Sequence, residues 1–297
     1  MELSWINKLR IAVVLAVGIV VIGILAWPLA APDDPLLPVR ASIVSPLATG
    51  SLLVLAFAVG FACYFIAWPH GREIGILAVP MGLAVWAGRS GPMQELTQVS
   101  RDTPERAALF HSLRFEPIYW MAVVAAGFAG VLAAQYLHHR VVGSAVADQP
   151  EKRLHTNASI NGLIAVVLSI VVTQFFIGVL VQNLGIPRVV TQPEMGQIIF
   201  GIITAFAIAA FVVKRFLDLS YVWPALASLF VTSSAQVLYD RGDTLQQFAE
   251  TRAATCFPHV LFALLPLQLV ALGALGSILG YWMAVRYDYW RKHESAG

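Results

Sequence analysis

The chain is poor in charge. Only 12% of its 297 residues are Asp, Glu, Lys or Arg, whereas 58% are hydrophobic, and the mean hydropathy is +0.74. Soluble domains are about one-quarter charged, so this composition excludes an ordinary soluble domain. The formal net charge is +2 and no basic stripe is present, so nucleic acid is not an expected partner.

Ionisable side chains are also missing from the middle of the long apolar segments. Such groups are costly inside a bilayer, and they usually mark proton relays, ion paths or redox ligands. Their absence argues against a proton-coupled pump and against a bis-histidine haem anchor. It argues equally against an aspartyl or Ser–His intramembrane protease.

Motifs that carry chemistry are lacking as well. The two cysteines, Cys63 and Cys256, form neither a disulfide framework nor a metal-ligand spacing. The adjacent His138 and His139 point about 100° apart on a helix and have no third ligand at a suitable spacing. The chain has no D-x-x-D, G-x-S-x-G or H-E-x-x-H motif and no phosphate-binding glycine loop. We therefore predict no catalytic residue, no metal and no cofactor.

What the chain does contain is eight apolar segments. Several reach the roughly 20 residues that cross a ~30 Å hydrocarbon core as a helix. Because the backbone must satisfy its own hydrogen bonds in lipid, runs of this length predict helices, and the chain is predicted to be an all-α polytopic membrane protein. The segments cover residues 11–31, 46–68, 73–88, 117–137, 158–184, 195–213, 220–238 and 258–285.

The two halves of the chain carry similar landmarks in the same order, which predicts an internal repeat. The predicted units are a four-helix repeat at 1–137, a cytoplasmic linker at 138–157 and a second four-helix repeat at 158–297. An even number of spans per unit makes the repeats parallel, related by a pseudo-twofold axis along the membrane normal. The matching landmarks are Ile6-Asn7 and Ile160-Asn161, Pro38/Pro46 and Pro187/Pro193, Pro80 and Pro224, and Asp102…Pro117 and Asp243…Pro258.

The placement of lysine predicts the orientation. With eight spans and the N-terminus inside, eleven of the 19 basic residues, including every lysine, lie on the cytoplasmic side. We expect an inner (plasma) membrane protein with both termini cytoplasmic and with the loops at 89–116 and 239–257 outside. If segments three and seven are both re-entrant, a six-span arrangement accounts for the charges equally well.

Polar side chains at the outer ends of segments three and seven are the candidate binding site. Around the pseudo-twofold axis they would line an outward-facing vestibule, whereas interhelical hydrogen bonding is the simpler alternative. The candidate residues are Arg89, Ser90, Thr232, Ser233, Ser234 and Gln236.

Small residues in segments four and eight predict close helix packing. Gly127 and Gly130 lie in the fourth segment, and Gly276 and Gly280 have the G-x-x-x-G spacing in the eighth. The neighbouring helix belongs either to the same chain or to another subunit.

Three functions are compatible with these features. Short loops favour a non-catalytic membrane subunit or scaffold that contacts partner proteins, or a second copy, through its helix faces and outer loops. The alternative is a facilitator-type transporter or channel for a neutral or weakly polar solute at the repeat interface. The least favoured is a lipid-modifying enzyme at the outer leaflet, using loop carboxylates such as Glu95, Glu105 and Glu116, which we expect to be solvated. The lipid bilayer is a partner in every case.

Each outer loop carries a helix-start signal. Asp102 is followed three positions later by Glu105, and Asp243 by Gln246, as in a capping box. A carboxylate at this position satisfies backbone N–H groups and opposes the helix dipole. We therefore predict that Asp102 and Asp243 are helix N-caps rather than catalytic acids.

Replacement of either aspartate by alanine should lower the free energy of unfolding by about 0.5–2 kcal/mol, the usual contribution of a cap. Replacement by asparagine should preserve stability, because asparagine caps about as well without a charge. Thermal unfolding in detergent measures both variants. An asparagine variant that is stable but has lost an activity of the wild-type protein would favour the enzyme.

Overall fold

The computed structural model describes residues 5–100, 103–142, 158–181, 190–239, 256–257 and 259–294. Within these ranges the chain is helical apart from its connections and one short antiparallel pairing of β1 (Val190–Thr191) with β2 (Cys256–Phe257). The predicted all-α class is therefore confirmed. The α-helices are α1 (Trp5–Val17), α2 (Pro46–Ile66), α3 (Gly71–Ile74), α4 (Ala78–Arg89), α5 (Met93–Val99), α6 (Thr103–Leu113), α7 (Glu116–Val142), α8 (Ala158–Leu180), α9 (Met195–Leu217), α10 (Val222–Tyr239) and α11 (Pro266–Glu294).

Several of these helices can cross a membrane, so the protein is an integral membrane protein. A bent helix pair adds a seventh candidate if it is counted as one span: Gly71–Arg89 and Met93–Val99 meet at an angle of 50°. A shorter apolar helix covers Val222–Val231 of α10. The predicted number of eight thus stays a prediction. In the described ranges, six segments are long and apolar enough: Trp5–Leu25, Pro46–Ile66, Ala108–Val141, Ile160–Leu180, Met195–Leu217 and Pro266–Arg291.

Two predicted boundaries differ from the structure. The fourth apolar helix continues through His138 and His139 to Val142, so the start of the predicted linker is helical. The last helix begins at Pro266 rather than at residue 258. A 3-10 turn at Val260–Phe262 comes first, and proline suits a first helical position because its missing N–H group would be unpaired there anyway.

Proline shapes the third apolar element of each half. Pro80 is the third residue of α4, and a 3-10 turn at Gly75–Leu77 precedes that helix. Because proline cannot donate a backbone hydrogen bond, it is tolerated in a first turn but interrupts a helix that extends further back. Pro224 is likewise the third residue of α10.

One end of the bundle, called the Gln94 end, joins the two halves. The backbone N–H of Gln94 donates to Oε1 of Gln192 (3.2 Å), and Nε2 of Gln192 donates to the carbonyl oxygen of Ala263 (3.1 Å). Phe110 and Phe262 pack edge to face at 5.6 Å nearby. Helices α9 and α11 therefore begin at this end.

The opposite end is called the Tyr221 end. Tyr221, just before α10, contacts Phe128 of α7 at 6.0 Å and Tyr281 of α11 at 5.5 Å between ring centroids. The positive charge of Arg72, in α3, is close enough to interact electrostatically with the Tyr221 hydroxyl group. Helices α3 and α10 therefore begin at the Tyr221 end.

Further contacts orient the remaining helices. Ser42, before α2, contacts Glu116 at the start of α7, and Trp68, after α2, donates from Nε1 to Nε2 of His138 near the end of α7 (3.1 Å). Helices α2 and α7 are thus parallel. Gly162, near the start of α8, lies against Trp223. Helices α2, α7, α9 and α11 run from the Gln94 end to the Tyr221 end, and α4, α8 and α10 run the other way.

Helix α11 is the centre of the bundle. It packs against α4, α7, α9 and α10, so it contacts both halves. In its most apolar stretch 72% of the residues are buried, compared with 22% in the first span and 28% in Ile160–Leu180. The first span and α8 therefore face outward, where apolar side chains meet lipid.

Glycine brings α2 and α7 into backbone contact. A Cβ atom at Gly130 would overlap the carbonyl oxygen of Phe57, and a Cβ atom at Gly60 would overlap that of Gly127. No other residue permits so close an approach without a shift of the backbone. The neighbour of this predicted small-residue face is therefore a helix of the same chain.

The pair α9 and α11 packs in the same manner. A Cβ atom at Gly280 would overlap the carbonyl oxygen of Ala207, and one at Gly276 would crowd that of Ile203. This second small-residue face is therefore also occupied from within the chain.

Alanine at Gly130 or Gly280 should lower the free energy of unfolding by about 1–3 kcal/mol, because the added methyl group forces the helices apart. Gly178 in α8 is the matched control, since an added Cβ there would meet no described atom within 4 Å. Alanine at Gly178 should be neutral or stabilising by up to about 1 kcal/mol, the difference in helix propensity. Unfolding in mixed micelles compares the three variants, and equal effects at all three sites would contradict the packing account.

Candidate functional site

Arg89 and Ser90, two residues of the predicted vestibule, hold a connecting segment in place. The guanidinium group of Arg89 lies over the Trp27 ring, 4.4 Å from its centroid. The Ser90 hydroxyl, on a side chain only 5% exposed, accepts a hydrogen bond from the backbone N–H of Val39 (2.9 Å). Both residues therefore fasten the chain between α1 and α2 to the end of α4.

The other vestibule residues lie on α10. Ser233 donates its hydroxyl hydrogen to the carbonyl oxygen of Leu229, one turn earlier in its own helix (2.9 Å). Thr232, Ser234 and Gln236 belong to the same helix, but their side chains lie outside the described residues. Among the side chains that the structure describes, no hydrogen bond or ring contact joins α10 to Arg89 or Ser90.

The two predicted caps also fall outside the described residues. Helix α6 begins at Thr103, directly after Asp102, but Asp102 itself is not described. Asp243 lies in the 240–255 gap. Their capping role stays a prediction.

Glu116 is the residue whose surroundings differ most from expectation. We expected a solvated loop acid, but Glu116 is the first residue of α7 and only 4% exposed. Its Oε1 accepts a hydrogen bond from the Ser42 hydroxyl (3.4 Å), and Arg40 is a positive charge acting on the same carboxyl group. The backbone N–H groups of Ala41 and Ser42 also act on this carboxyl group, whereas its Oε2 atom has no close hydrogen-bond partner among the described residues.

An array of aromatic rings shares a helical face with this carboxyl group. Trp27 and Trp86 pack edge to face at 6.0 Å, Trp86 and Trp120 at 6.3 Å, and Trp120 and Tyr119 at 4.7 Å between centroids. Tyr119 and Trp120 follow Glu116 by three and four positions, so all three side chains share one face of α7. We call these five residues the Glu116 cluster.

The Glu116 cluster is rich in buried polar atoms without partners. Trp86 and Trp120 are fully buried, yet within the described residues neither indole N–H has a hydrogen-bond acceptor. The Tyr119 hydroxyl has the side chain of Thr49 as its hydrogen-bonding neighbour. The two indole N–H groups and Oε2 of Glu116 are thus three unpaired buried atoms in one cluster of the described residues. Because buried polar groups are almost always paired, this concentration marks the candidate functional site.

A spacing in the sequence hints at this site. The run Glu116-Pro117-Ile118-Tyr119-Trp120 places an acid, a phenol and an indole on one helical face. The pattern does not show that Trp86 of α4 and the turn at Ala41–Ile43 close over that face. Burial of the acid therefore follows from the tertiary structure.

His259 has a structural role in the described part of the chain. Its Nδ1 accepts a hydrogen bond from the backbone N–H of Leu261 (3.3 Å), which caps the following turn. Burial lowers the pKa of His259, so the imidazole stays neutral and keeps its accepting lone pair. Across the described ranges, no three His, Cys, Asp or Glu side chains are grouped closely enough to hold a metal ion.

No family model, curated protein or solved structure matches this chain. Its chemistry is therefore inferred from the geometry alone. Within the described residues the Glu116 cluster offers one unpaired acceptor, two unpaired indole donors and nearby arginines, which suit binding of a polar group.

Replacement of Ser90 by alanine should lower the free energy of unfolding by about 1–3 kcal/mol, because the buried N–H of Val39 then has no partner. Ser233→Ala is the matched control, with an expected change within about 0.5 kcal/mol, since the hydrogen bond that the structure describes for Ser233 lies within its own helix. Thermal unfolding in detergent measures both. A Ser90→Ala variant of unchanged stability that altered solute flux would instead support the vestibule.

Proposed function

We propose that the protein is a non-catalytic integral membrane subunit or scaffold. The observation that carries this proposal is the way buried hydroxyl groups bond within their own helices. Ser169, Ser228 and Ser277 each donate to a carbonyl oxygen three or four residues earlier, at 2.7–2.8 Å. Hydroxyl groups bonded in this way offer little to a passing solute. Close packing around α11 suits a structural part better than a pathway.

The proposed architecture is two parallel four-helix repeats, and a shared helix register supports it. Gly130 of α7 lies on the carbonyl group of Phe57 in α2, and Gly276 of α11 lies on that of Ile203 in α9. The distance along the chain from Phe57 to Ile203 equals that from Gly130 to Gly276. The two crossings therefore correspond residue by residue.

A second contact has the same register. Gly60 of α2 meets Gly127 of α7, and Phe206 of α9 meets Gly273 of α11. The separation along the chain from Gly60 to Phe206, and from Gly127 to Gly273, equals that from Phe57 to Ile203. Both contacts belong to one crossing in each helix pair, and the shared register of the two crossings supports the repeat.

The proposal places eight crossings in the membrane. Helices α4 and α10 begin near Tyr221 and pack towards the Gln94 end, where Ser90 follows α4 and Val231 of α10 joins the apolar cluster that contains Val260. Elements that connect both ends of the bundle behave as spans rather than as re-entrant loops. The Gln94 end is extracytoplasmic in this proposal, because every lysine then faces the cytoplasm.

Partner contacts in this proposal use the first span, α8 and the two outer loops. The glycine faces of α7 and α11 are occupied inside the chain, which leaves less of them for another subunit. Leu9 and Val20 in the first span, and Leu163 and Val171 in α8, are 46–65% exposed. They belong to the least buried spans of each half.

A facilitator is the alternative, and one observation favours it. Thr173 in α8 is fully buried, and its hydroxyl group has no hydrogen-bond partner in the described part of the chain. A weakly polar solute could pair with that hydroxyl.

Co-purification and transport assays separate the two functions. The protein is isolated in mild detergent for identification of bound proteins, and it is reconstituted in vesicles for solute uptake. A scaffold retains a stoichiometric partner and adds no flux. Flux that is lost in Thr173→Val, with stability retained, would replace the scaffold by the facilitator.

Accessibility labelling tests the eight crossings. In a background with both cysteines replaced, an impermeant thiol reagent should label Ser100→Cys in intact cells. It should leave Ser144→Cys unlabelled until the cells are opened, because the 138–157 linker is cytoplasmic in the proposal. Labelling of Ser144→Cys from outside would contradict the eight-span arrangement and favour the six-span arrangement.

A further inference from the structure

We propose that the Glu116 cluster binds the headgroup of a phospholipid that carries a primary ammonium group, of the phosphatidylethanolamine type. This inference does not depend on the scaffold proposal. It rests on the unpaired atoms of the cluster, the charges around it and the apolar surface beside it.

The free carboxylate oxygen selects the ammonium group. Among the described residues, Oε2 of Glu116 is a buried acceptor without a close donor, whereas the Ser42 hydroxyl already donates to Oε1 and the backbone N–H groups of Ala41 and Ser42 face the same carboxyl group. A primary ammonium group supplies N–H donors and a positive charge together, which suits a carboxylate better than a neutral donor does. A quaternary ammonium group supplies charge but no N–H. The ligand class is therefore a primary amine.

The aromatic residues and the arginines suit the rest of a zwitterionic headgroup. The indole N–H groups of Trp86 and Trp120 are donors without acceptors among the described residues, and phosphate or ester oxygens can accept from them. Arg40 acts on Glu116, and Arg89 lies over Trp27 at the edge of the cluster. A lone amine would leave these donors unpaired, and a lone phosphate would leave the carboxylate unpaired.

The surroundings indicate that the ligand comes from the bilayer. Large apolar side chains close in the chain to Glu116 and Ser42 are exposed: Phe115 and Ile118 are 57% and 59% exposed, and Ile43 and Leu47 are 45% and 83% exposed. Tyr119, three positions after Glu116, is half-buried. Acyl chains along this apolar surface bring a headgroup to the aromatic level, where tryptophan and tyrosine usually meet headgroups.

A lipid titration tests the proposal. The full-length protein, stripped of lipid in mild detergent, is titrated with short-chain phosphatidylethanolamine, phosphatidylcholine and phosphatidylglycerol, and with ethanolamine and inorganic phosphate alone. Native mass spectrometry counts bound molecules, and tryptophan fluorescence follows the cluster. We expect phosphatidylethanolamine to bind tightest, then phosphatidylcholine, with phosphatidylglycerol and the two fragments weakest.

Variants locate the binding. Glu116→Gln keeps the shape of the side chain and removes the charge, so phosphatidylethanolamine should bind roughly 10- to 100-fold more weakly. Glu105→Gln is the matched control, because Glu105 is an exposed acid of the same region, and its affinity should match the wild type. Trp120→Phe removes one N–H and keeps a ring, so affinity should fall roughly three- to tenfold. It tests the site even if Glu116→Gln fails to fold.

Three outcomes would overturn the proposal. Equal affinity for the three lipids would remove the selection by Glu116. Equal loss in Glu116→Gln and Glu105→Gln would place binding on general surface charge. A protein that binds no added lipid and is equally stable with and without it would assign the unpaired atoms to buried water. Loss of a protein partner in the co-purification assay, with lipid selectivity intact, affects the scaffold proposal alone.

Discussion

Backbone contact at glycine is the constraint on which the rest of the bundle depends. Helices in lipid are not driven together by the hydrophobic effect, so close van der Waals packing has to hold them. Such packing occurs in the two helix pairs with the most extensive contacts, where Gly130 lies against Phe57 and Gly280 lies against Ala207. Once α2 lies on α7 and α9 lies on α11, the remaining helices pack around these pairs. The central position of α11 follows, since it contacts its own partner and the opposite half.

The helices could be predicted because each depends on a local run of apolar residues that has to span a fixed thickness. Their ends could be predicted less well. The last helix starts at Pro266 because a turn capped by His259 comes first, and that turn depends on a side-chain bond to the Leu261 amide. The neighbours of the glycines are a tertiary property. The spacing of Gly276 and Gly280 indicates a close approach but does not name the helix that approaches.

The candidate site was harder to predict for the same reason. A loop acid before an apolar helix is ordinarily solvated, and nothing adjacent to Glu116 in the chain indicates otherwise. Its partner Ser42 lies 74 positions earlier, and Trp86 on another helix packs on Trp120 of the same helical face. Ser90 shows the opposite case. Its position near a predicted vestibule was clear from the sequence, whereas its bond to Val39 is a long-range contact that assigns the hydroxyl to structure. The type of a polar residue was a poor guide to the functional site, because the role of each polar group depends on the partner it meets in the folded chain.

Gln192 has a mechanical consequence for the whole bundle. One amide group accepts from Gln94 of the first half and donates to Ala263, which precedes α11 in its own half. The bond to Gln94 crosses between the halves, so alternating access by rocking of the two halves would have to break and remake it in each cycle. The bond to Ala263 holds the amide group in place, which favours a bundle that keeps its shape at the Gln94 end.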